Sequence, residues 1–124
     1  MPTATVNTIY TGTGPSVSGS RSLTGSVETI IGPLSVAQGT PNAQTVAVTA
    51  AGLKALMISS TKNLTVTTTN GATPDVVTVT GGTQYIWVGD SANPFAGGNV
   101  TLLTIACTES GLTSTVNIRI LHDE

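Results

Sequence analysis

The chain contains little of what stabilises or activates many small proteins, beginning with cysteine. Cys107 is the only cysteine among 124 residues, which excludes an internal disulfide framework and a thiol cluster for zinc or iron–sulfur. Because Cys107 lies in the apolar run "VTLLTIACT", we interpret it as a small buried side chain and not as a nucleophile. The fold must therefore depend on packing.

Charge is also scarce. Charged residues make up 8% of the chain, against about 25% in ordinary globular proteins, and the four basic residues leave a net charge of −2. Four basic residues cannot form the electropositive surface that binding to a phosphate backbone requires. We therefore expect no nucleic-acid partner. A surface this poor in charge is either hydrated by hydroxyl groups or largely covered by partners, and we favour the second.

Long apolar runs are missing as well. No run of about 18 apolar residues could span a bilayer, and the N-terminus "MPTATVNTIYTGTG" has neither the basic start nor the apolar middle of a signal peptide. We therefore expect a soluble protein, with no membrane partner, that folds in a cytosol. The length is typical of one domain.

A repeated alternation of apolar and polar residues predicts β-strands along most of the chain. No segment sustains a helical period. The predicted strands are "QTVAVTA", "LKALMISS", "NLTVTTT", "DVVTVT", "QYIWV", "VTLLTIACT" and "STVNIRIL", with "LTGSVETII" before Gly32–Pro33 as an eighth. Short strands at regular spacing predict an all-β protein with a jelly-roll-like antiparallel β-sandwich, and an immunoglobulin-like sandwich is the alternative.

Residues 1–24 differ in composition from the rest. "ATVNTIY" has the period of a strand, but the Gly, Ser and Pro content of "TGTGPSVSGSRSLTGS" cannot build a core. We therefore predict an extended N-terminal arm over residues 1–24, which orders against another surface, and one β-sandwich domain over residues 25–124.

The strands indicate which faces are buried. In "NLTVTTT" the residues Leu64, Val66 and Thr68 share one face and three threonines share the other, and in the last strand Val116, Ile118 and Ile120 point inward. "NLTVTTT" and "DVVTVT" should form a hairpin around "NGATP". "LKALMISS" and "VTLLTIACT" are apolar on both faces, which predicts that a second surface, such as another subunit, covers them.

The residues form no constellation for catalysis or cofactor binding. The one histidine, His122, stands in the C-terminal "ILHDE", where we expect a solvated tail without the rigid position that proton transfer requires. Phosphate loops and nucleophile elbows are missing. A calcium ion at Asp90 and Asn93 is the one metal site that the residues leave conceivable. We predict no catalytic residue, no cofactor and no metal, and hence no enzyme.

The few aromatic residues supply the candidate contacts. Tyr85 and Trp87 share one face of "QYIWV", where they could stack on a sugar or contact a protein. Alternatively they fill the core while their strand neighbours face outward. Phe95 is the apolar residue at the tip of the loop 89–99. We assign these residues and two from the arm as candidate partner contacts, namely Tyr10, Arg21, Tyr85, Trp87 and Phe95.

From Gly52 onward the order of strands and turns resembles that of small β-sandwich virion proteins of tailed bacteriophages. The resemblance is carried by "LKALMISS", "NLTVTTTNG", "PDVVTVTGG", "YIWVGDS", "NPF", "VTLLTIACT" and "TVNIRILHDE" in that order, and more loosely by "VSGSRSLTGSVETIIGPLSVAQGT" upstream. It lies in strand order and turn placement without an invariant chemical motif, so it implies no site residues.

The resemblance implies a capsid decoration or cement protein. Such a protein is made in the host cytoplasm, forms a trimer or dimer on the outside of the head, and ties neighbouring major capsid protein subunits together. The low charge, the apolar second faces and the arm fit a protein that adds buried surface to a shell. The alternative is a head-fibre, tail or adhesin-type module that binds host glycan through Tyr85, Trp87 and the loop 89–99.

Overall fold

The structure, a computed structural model, describes residues 2–10, 17–71, 73–89 and 92–123, without the side chains of residues 8–10, 17–19 and 21. These stretches contain ten strands and one short 3-10 turn at Ala50–Gly52. The strands are Thr3–Tyr10 (β1), Val17–Thr24 (β2), Val27–Ala37 (β3), Asn42–Val48 (β4), Leu53–Ser60 (β5), Leu64–Thr69 (β6), Val76–Val79 (β7), Gln84–Trp87 (β8), Val100–Cys107 (β9) and Thr113–His122 (β10). All strand pairs are antiparallel, so the predicted all-β class is confirmed.

Strands β3 to β10 form a sandwich of two four-stranded sheets. Sheet I has the strand order β3-β10-β5-β8, and sheet II has the order β4-β9-β6-β7. Every connection from β3 to β10 crosses from one sheet to the other, except the β6–β7 hairpin. Two interlocked four-stranded sheets of this kind are the jelly-roll arrangement, whereas an immunoglobulin-like sandwich divides seven strands into sheets of four and three. The jelly-roll prediction is therefore confirmed, and its alternative is wrong.

The core lies between the two sheets, on the faces that the sequence pattern indicates. Val116, Ile118 and Ile120 of β10 are 0% exposed, and Leu64 and Val66 of β6 are equally buried. Because side chains alternate along a strand, the residues between them face outward. The predicted β6–β7 hairpin is also confirmed, with Leu64 opposite Val79.

Strand β3 extends further than its sequence indicates. We expected it to end before Gly32–Pro33, but it continues to Ala37. Proline is tolerated because β3 is an edge strand of sheet I, where one side of the backbone forms no ladder bonds. Gly32 has a φ of 106°, and the pairing of β10 with β3 shifts between Val116 and Ile118. This β-bulge lets the strand pass Gly32–Pro33 and resume its pairing.

The N-terminal residues form a hairpin instead of the single extended segment that we expected. Strands β1 and β2 pair along their length, from Thr3 opposite Thr24 to Tyr10 opposite Val17, as a two-stranded sheet of their own. Backbone hydrogen bonds hold such a pair, and these do not need the apolar pattern that "VSGSRSLT" lacks. The division of the chain into an arm over residues 1–24 and a domain over 25–124 stays a prediction.

The hairpin explains why β5 is apolar on both faces. Leu56 and Ile58 point into the sandwich core, whereas Ala55 lies on the opposite face of sheet I and is still 9% exposed. Ala4 and Val6 of β1 stand across a cleft from Ala55 and are half-buried. Part of the second surface that we expected from another subunit therefore comes from the chain itself.

Candidate functional site

Of the predicted contact residues, Trp87 belongs to the core and Tyr85 packs against it. Trp87 is 7% exposed and lies in the core cluster, and Tyr85 packs against the same cluster. Ile86, which lies between them on β8, is 41% exposed. Of the two interpretations of "QYIWV", the structure thus matches the one in which the aromatic side chains fill the sandwich. They do not form an exposed platform for a sugar ring.

Burial has a measurable consequence at Tyr85. Loss of water around the phenol raises the pKa of Tyr85 above the ordinary tyrosine value. We expect an ultraviolet titration to show a tyrosine that ionises above pH 10 or so, and the variant Tyr85→Phe to lack that late phase. The unfolded chain releases the Tyr85 proton at a lower pH than the folded chain does. The free energy of unfolding should therefore fall as the pH rises above the ordinary tyrosine pKa, and this fall should be less steep in Tyr85→Phe. The difference between the ultraviolet titration curves of the wild type and Tyr85→Phe reports the ionisation of Tyr85. A midpoint of that difference at or below the ordinary tyrosine pKa would contradict the partial burial of this side chain.

Phe95, which we placed at the tip of the loop 89–99, is also buried. Its side chain is 1% exposed and lies in the core cluster. The side chain of Asn93 turns the loop inward, because its Oδ1 accepts a hydrogen bond from the Phe95 amide at 2.8 Å and its Nδ2 donates to the Ala50 carbonyl at 2.8 Å. Phe95 could contact a partner only if this loop opened.

The same contacts bear on the calcium site considered for this loop. Asp90 lies outside the described residues, and both polar atoms of the Asn93 amide bond to the protein backbone. Within residues 2–10, 17–71, 73–89 and 92–123, no three His, Cys, Asp or Glu side chains come together in a way that could hold a metal ion.

The other two predicted contact residues lie in the hairpin. Tyr10 ends β1 opposite Val17, and Arg21 lies in β2 opposite Val6. The side chains of Tyr10 and Arg21 are outside the described part of the chain, so their assignment as partner contacts stays a prediction.

His122 is buried, and the expectation of a solvated C-terminal tail is wrong. Strand β10 reaches His122, which lies between Val27 of β3 and Leu53 of β5 and is 1% exposed. Its Nε2 lies 3.1 Å from the hydroxyl of Thr29, and its Nδ1 has no hydrogen-bond partner among the described residues. His122 is buried because it extends β10, one of the two inner strands of sheet I.

The outward face of sheet II consists mainly of hydroxyl and methyl groups. One row crosses all four strands with Ala43, Thr104, Thr67 and Val76 directly opposite one another. We call this surface the threonine face, which consists of Ala43, Thr45, Thr65, Thr67, Thr69, Val76, Thr78, Leu102, Thr104 and Ala106. Val76 is 60% exposed at one edge. The sequence pattern indicated the threonines of β6, but the partners on β4 and β9 depend on long-range pairing.

Charge is distributed unequally between the two sheets. Within the described chain, the four strands of sheet II contain no acidic or basic residue. Sheet I holds two surface ion pairs, in which Arg119 Nη1 lies 3.2 Å from Glu28 Oε1 and Lys54 Nζ lies 3.3 Å from Asp123 Oδ2. Such exposed pairs contribute little to stability. The threonine face is therefore free of acidic and basic residues among the described residues, whereas the outward face of sheet I is not.

A cleft of about 500 Å³ lies between the hairpin and the outward face of sheet I. Thr3, Ala4, Thr5 and Val6 of β1 form one wall. Outward side chains of β10, β5 and β8 form the opposite wall, among them Asn117, Arg119, Leu121, Ala55, Met57, Ser59, Gln84 and Ile86. Nothing in the local sequence pattern predicted this cleft, because its two walls are brought together by the placement of the hairpin.

Comparison with known proteins identifies no relative. A scan against models of protein families, a search of curated proteins and a search of solved structures each found no match. Among the described residues, no helix is long and apolar enough to cross a bilayer. The resemblance to phage virion proteins therefore stays a prediction from the sequence.

Proposed function

We propose that this chain is a structural virion protein, a capsid decoration or cement protein that binds the outside of a phage head and stabilises contacts between major capsid protein subunits. The observation that carries the proposal is the threonine face. It lies on one sheet, spans four strands and contains no charged group in the described residues. A surface of this kind supports a structural role better than a catalytic one.

The physical chemistry of threonine supports close contact with another protein. Burying a charged side chain at an interface removes its water shell at a cost of several kcal/mol, which its partner recovers only with good geometry. Threonine avoids this cost, because its methyl group is apolar and its hydroxyl can both donate a hydrogen bond and accept hydrogen bonds from the partner. Its branched side chain is already restricted on a strand, so little rotational freedom is lost on binding.

A protein that covers a junction between capsid subunits stabilises the shell by mass action. It binds the assembled shell and not the separated subunits, so its binding free energy is added to the cost of taking the shell apart. A trimer or dimer of the chain would bind several subunits at once and so increase the apparent affinity.

The threonine face can be tested by adding a charge to it. Thr67 lies at the centre of the face on β6, which pairs with both β7 and β9. We expect Thr67→Glu to weaken attachment to phage heads that lack the chain by about tenfold or more, because the carboxylate would be buried without a partner. Attachment is measured by co-sedimentation of purified protein with the heads at increasing protein concentration.

A matched control uses the same substitution on the other sheet. Thr115 is an exposed, outward threonine on β10, and β10 also pairs on both sides. Thr115→Glu should attach as the wild type does. Equal attachment of the wild type and both variants would show that the threonine face is not the contact surface, and failure of the wild-type protein to attach would overturn the proposed function itself.

The glycan-binding alternative receives less support from the geometry. It depended on Tyr85, Trp87 and the loop 89–99, but the two aromatic side chains pack in or against the core, and Phe95 of the loop is buried. Sugar recognition by stacking needs an exposed aromatic face. We therefore retain the capsid-binding function as the proposal.

A further inference from the structure

The cleft between the hairpin and sheet I changes in polarity along the strands. Three rows cross the sheet, and each consists of outward residues that the strand register places side by side. The polar row is Asn117, Ser59 and Gln84; the middle row is Arg119, Met57 and Ile86; and the apolar row is Leu121 and Ala55. Successive rows are two residues apart, so about 13 Å separates the polar row from the apolar row.

The polar side of the cleft continues into a second depression. This shallower space of about 220 Å³ shares Ser59, Gln84 and Asn117 with the cleft. Its other lining residues include Ser60, Thr61, Thr83 and Thr115, and none of the described residues that line it is acidic or basic. The polar side therefore offers hydroxyl and amide groups that can donate and accept hydrogen bonds without fixing a charge.

The described side chains of the cleft have no net charge to offer a ligand. Among the described side chains that line it, only Glu28 and Arg119 are charged, and these two pair with each other at 3.2 Å. An anionic or cationic ligand would have to compete with this pair or remain without a counter-ion in a partly dehydrated space. The charge distribution thus favours an uncharged ligand.

We propose that this cleft binds an uncharged amphipathic ligand, with an aliphatic part over Ala55, Met57 and Ile86 and a hydroxyl-bearing part at the polar row. The volume lies within the range of small-molecule sites, which are mostly apolar with a few convergent polar groups. The aliphatic part would cover apolar side chains of sheet I and of the hairpin, which now face each other across open space. The site is on the opposite sheet from the threonine face, so it is independent of the proposed capsid contact.

The probe for this site is n-octyl β-D-glucoside, used below the concentration at which it forms micelles. We expect a titration followed by two-dimensional NMR of the full chain to show saturable shifts at residues that line the cleft. Glucose lacks the aliphatic part, and octanoate replaces the uncharged head with a carboxylate. Both should bind about tenfold more weakly or not at all.

Two exposed aliphatic residues on short edge strands provide a matched pair of variants. Ile86→Asp puts a charge into the middle row and should weaken octyl glucoside binding by about tenfold or more. Val76→Asp makes a similar change on β7, in sheet II, and should leave the affinity unchanged. Gln84→Ala removes one polar group at an exposed position and should weaken binding by a factor of about five.

Several results would overturn the proposal. These are the absence of saturable shifts, shifts that lie away from the cleft, octanoate binding as tight as that of octyl glucoside, and equal affinity of Ile86→Asp and the wild type. Shifts of the cleft residues with protein concentration alone, without any probe, would also overturn it, because a second copy of the chain would then occupy the cleft.

Discussion

Replacing Ile118 by alanine is expected to lower the free energy of unfolding by about 3 to 5 kcal/mol, the upper part of the range for large-to-small substitutions in a core. Ile118 is 0% exposed at the centre of β10, where it lies between Ile31 of β3 and Ile58 of β5. Backbone hydrogen bonds fix the spacing of these three strands, so the strands cannot move together to fill the cavity that the substitution leaves. Urea-induced unfolding, followed by circular dichroism, measures this loss.

A matched control for this prediction is the same substitution at an exposed isoleucine. Ile30 lies on the outward face of β3, two strand positions from the bulge, and is 58% exposed. Ile30→Ala should cost less than about 1 kcal/mol, because water replaces the lost contacts and no cavity forms. If the two variants unfold at similar urea concentrations, Ile118 does not lie in the core and the register of β10 is wrong.

Gly32→Ala is the second substitution for which we expect a large effect. It should lower the free energy of unfolding by about 3 kcal/mol or more. Gly32 has a φ of 106°, which a residue with a Cβ atom rarely adopts. A Cβ atom at this position would overlap the carbonyl oxygen of Val116 on β10. That oxygen belongs to the backbone at the bulge and cannot rotate away, so β3 would have to separate from β10 locally.

Gly39→Ala separates the two contributions. Gly39 has a φ of 86°, but a Cβ atom there would meet no atom within 4 Å. In this variant only the unfavourable backbone conformation should lower the free energy of unfolding, by about 1 to 2 kcal/mol. Thermal unfolding of the two variants in parallel measures the difference. Equal losses would mean that β3 does not pass close to β10 at Gly32.

Much of the sandwich could be predicted from the sequence, because one face of each core strand is buried. The alternation of Leu64, Val66 and Thr68 with outward threonines follows directly from that burial. The hairpin of β6 and β7 was predictable from a local turn signal. The pairing of β10 with β3 and β5 was not, because it joins residues that are far apart in the sequence.

The main errors have a common physical reason, which is that tertiary contacts override local appearance. The stretch "VSGSRSLT" resembles a linker, yet it forms β2 because β1 lies beside it. His122 resembles a tail residue, yet two strands flank it. Phe95 stands in a loop of polar and small residues, yet Asn93 directs the loop toward the core. A single sequence does not display such contacts.

Of the two candidate surfaces, the threonine face could be predicted in part from the sequence, and the cleft could not. The threonines of β6 indicated an uncharged face before the fold was known, whereas its extension across β4, β9 and β7 required the register of sheet II. The cleft could not be inferred at all, since Arg119, Met57 and Ile86 lie on three separate strands, and the hairpin that faces them lies far from these strands in the sequence. Low overall charge was the one global property that indicated a binding surface.

The most direct test of the proposed role is the heat resistance of phage heads to which the purified chain has been added. The measurement is the temperature at which heads that lack the chain lose their integrity, determined with and without a saturating amount of the protein. We predict a clear rise with the wild type and little or no rise with Thr67→Glu at the same concentration, because binding to the assembled shell adds to its stability. An unchanged temperature at saturating wild-type protein would contradict the account.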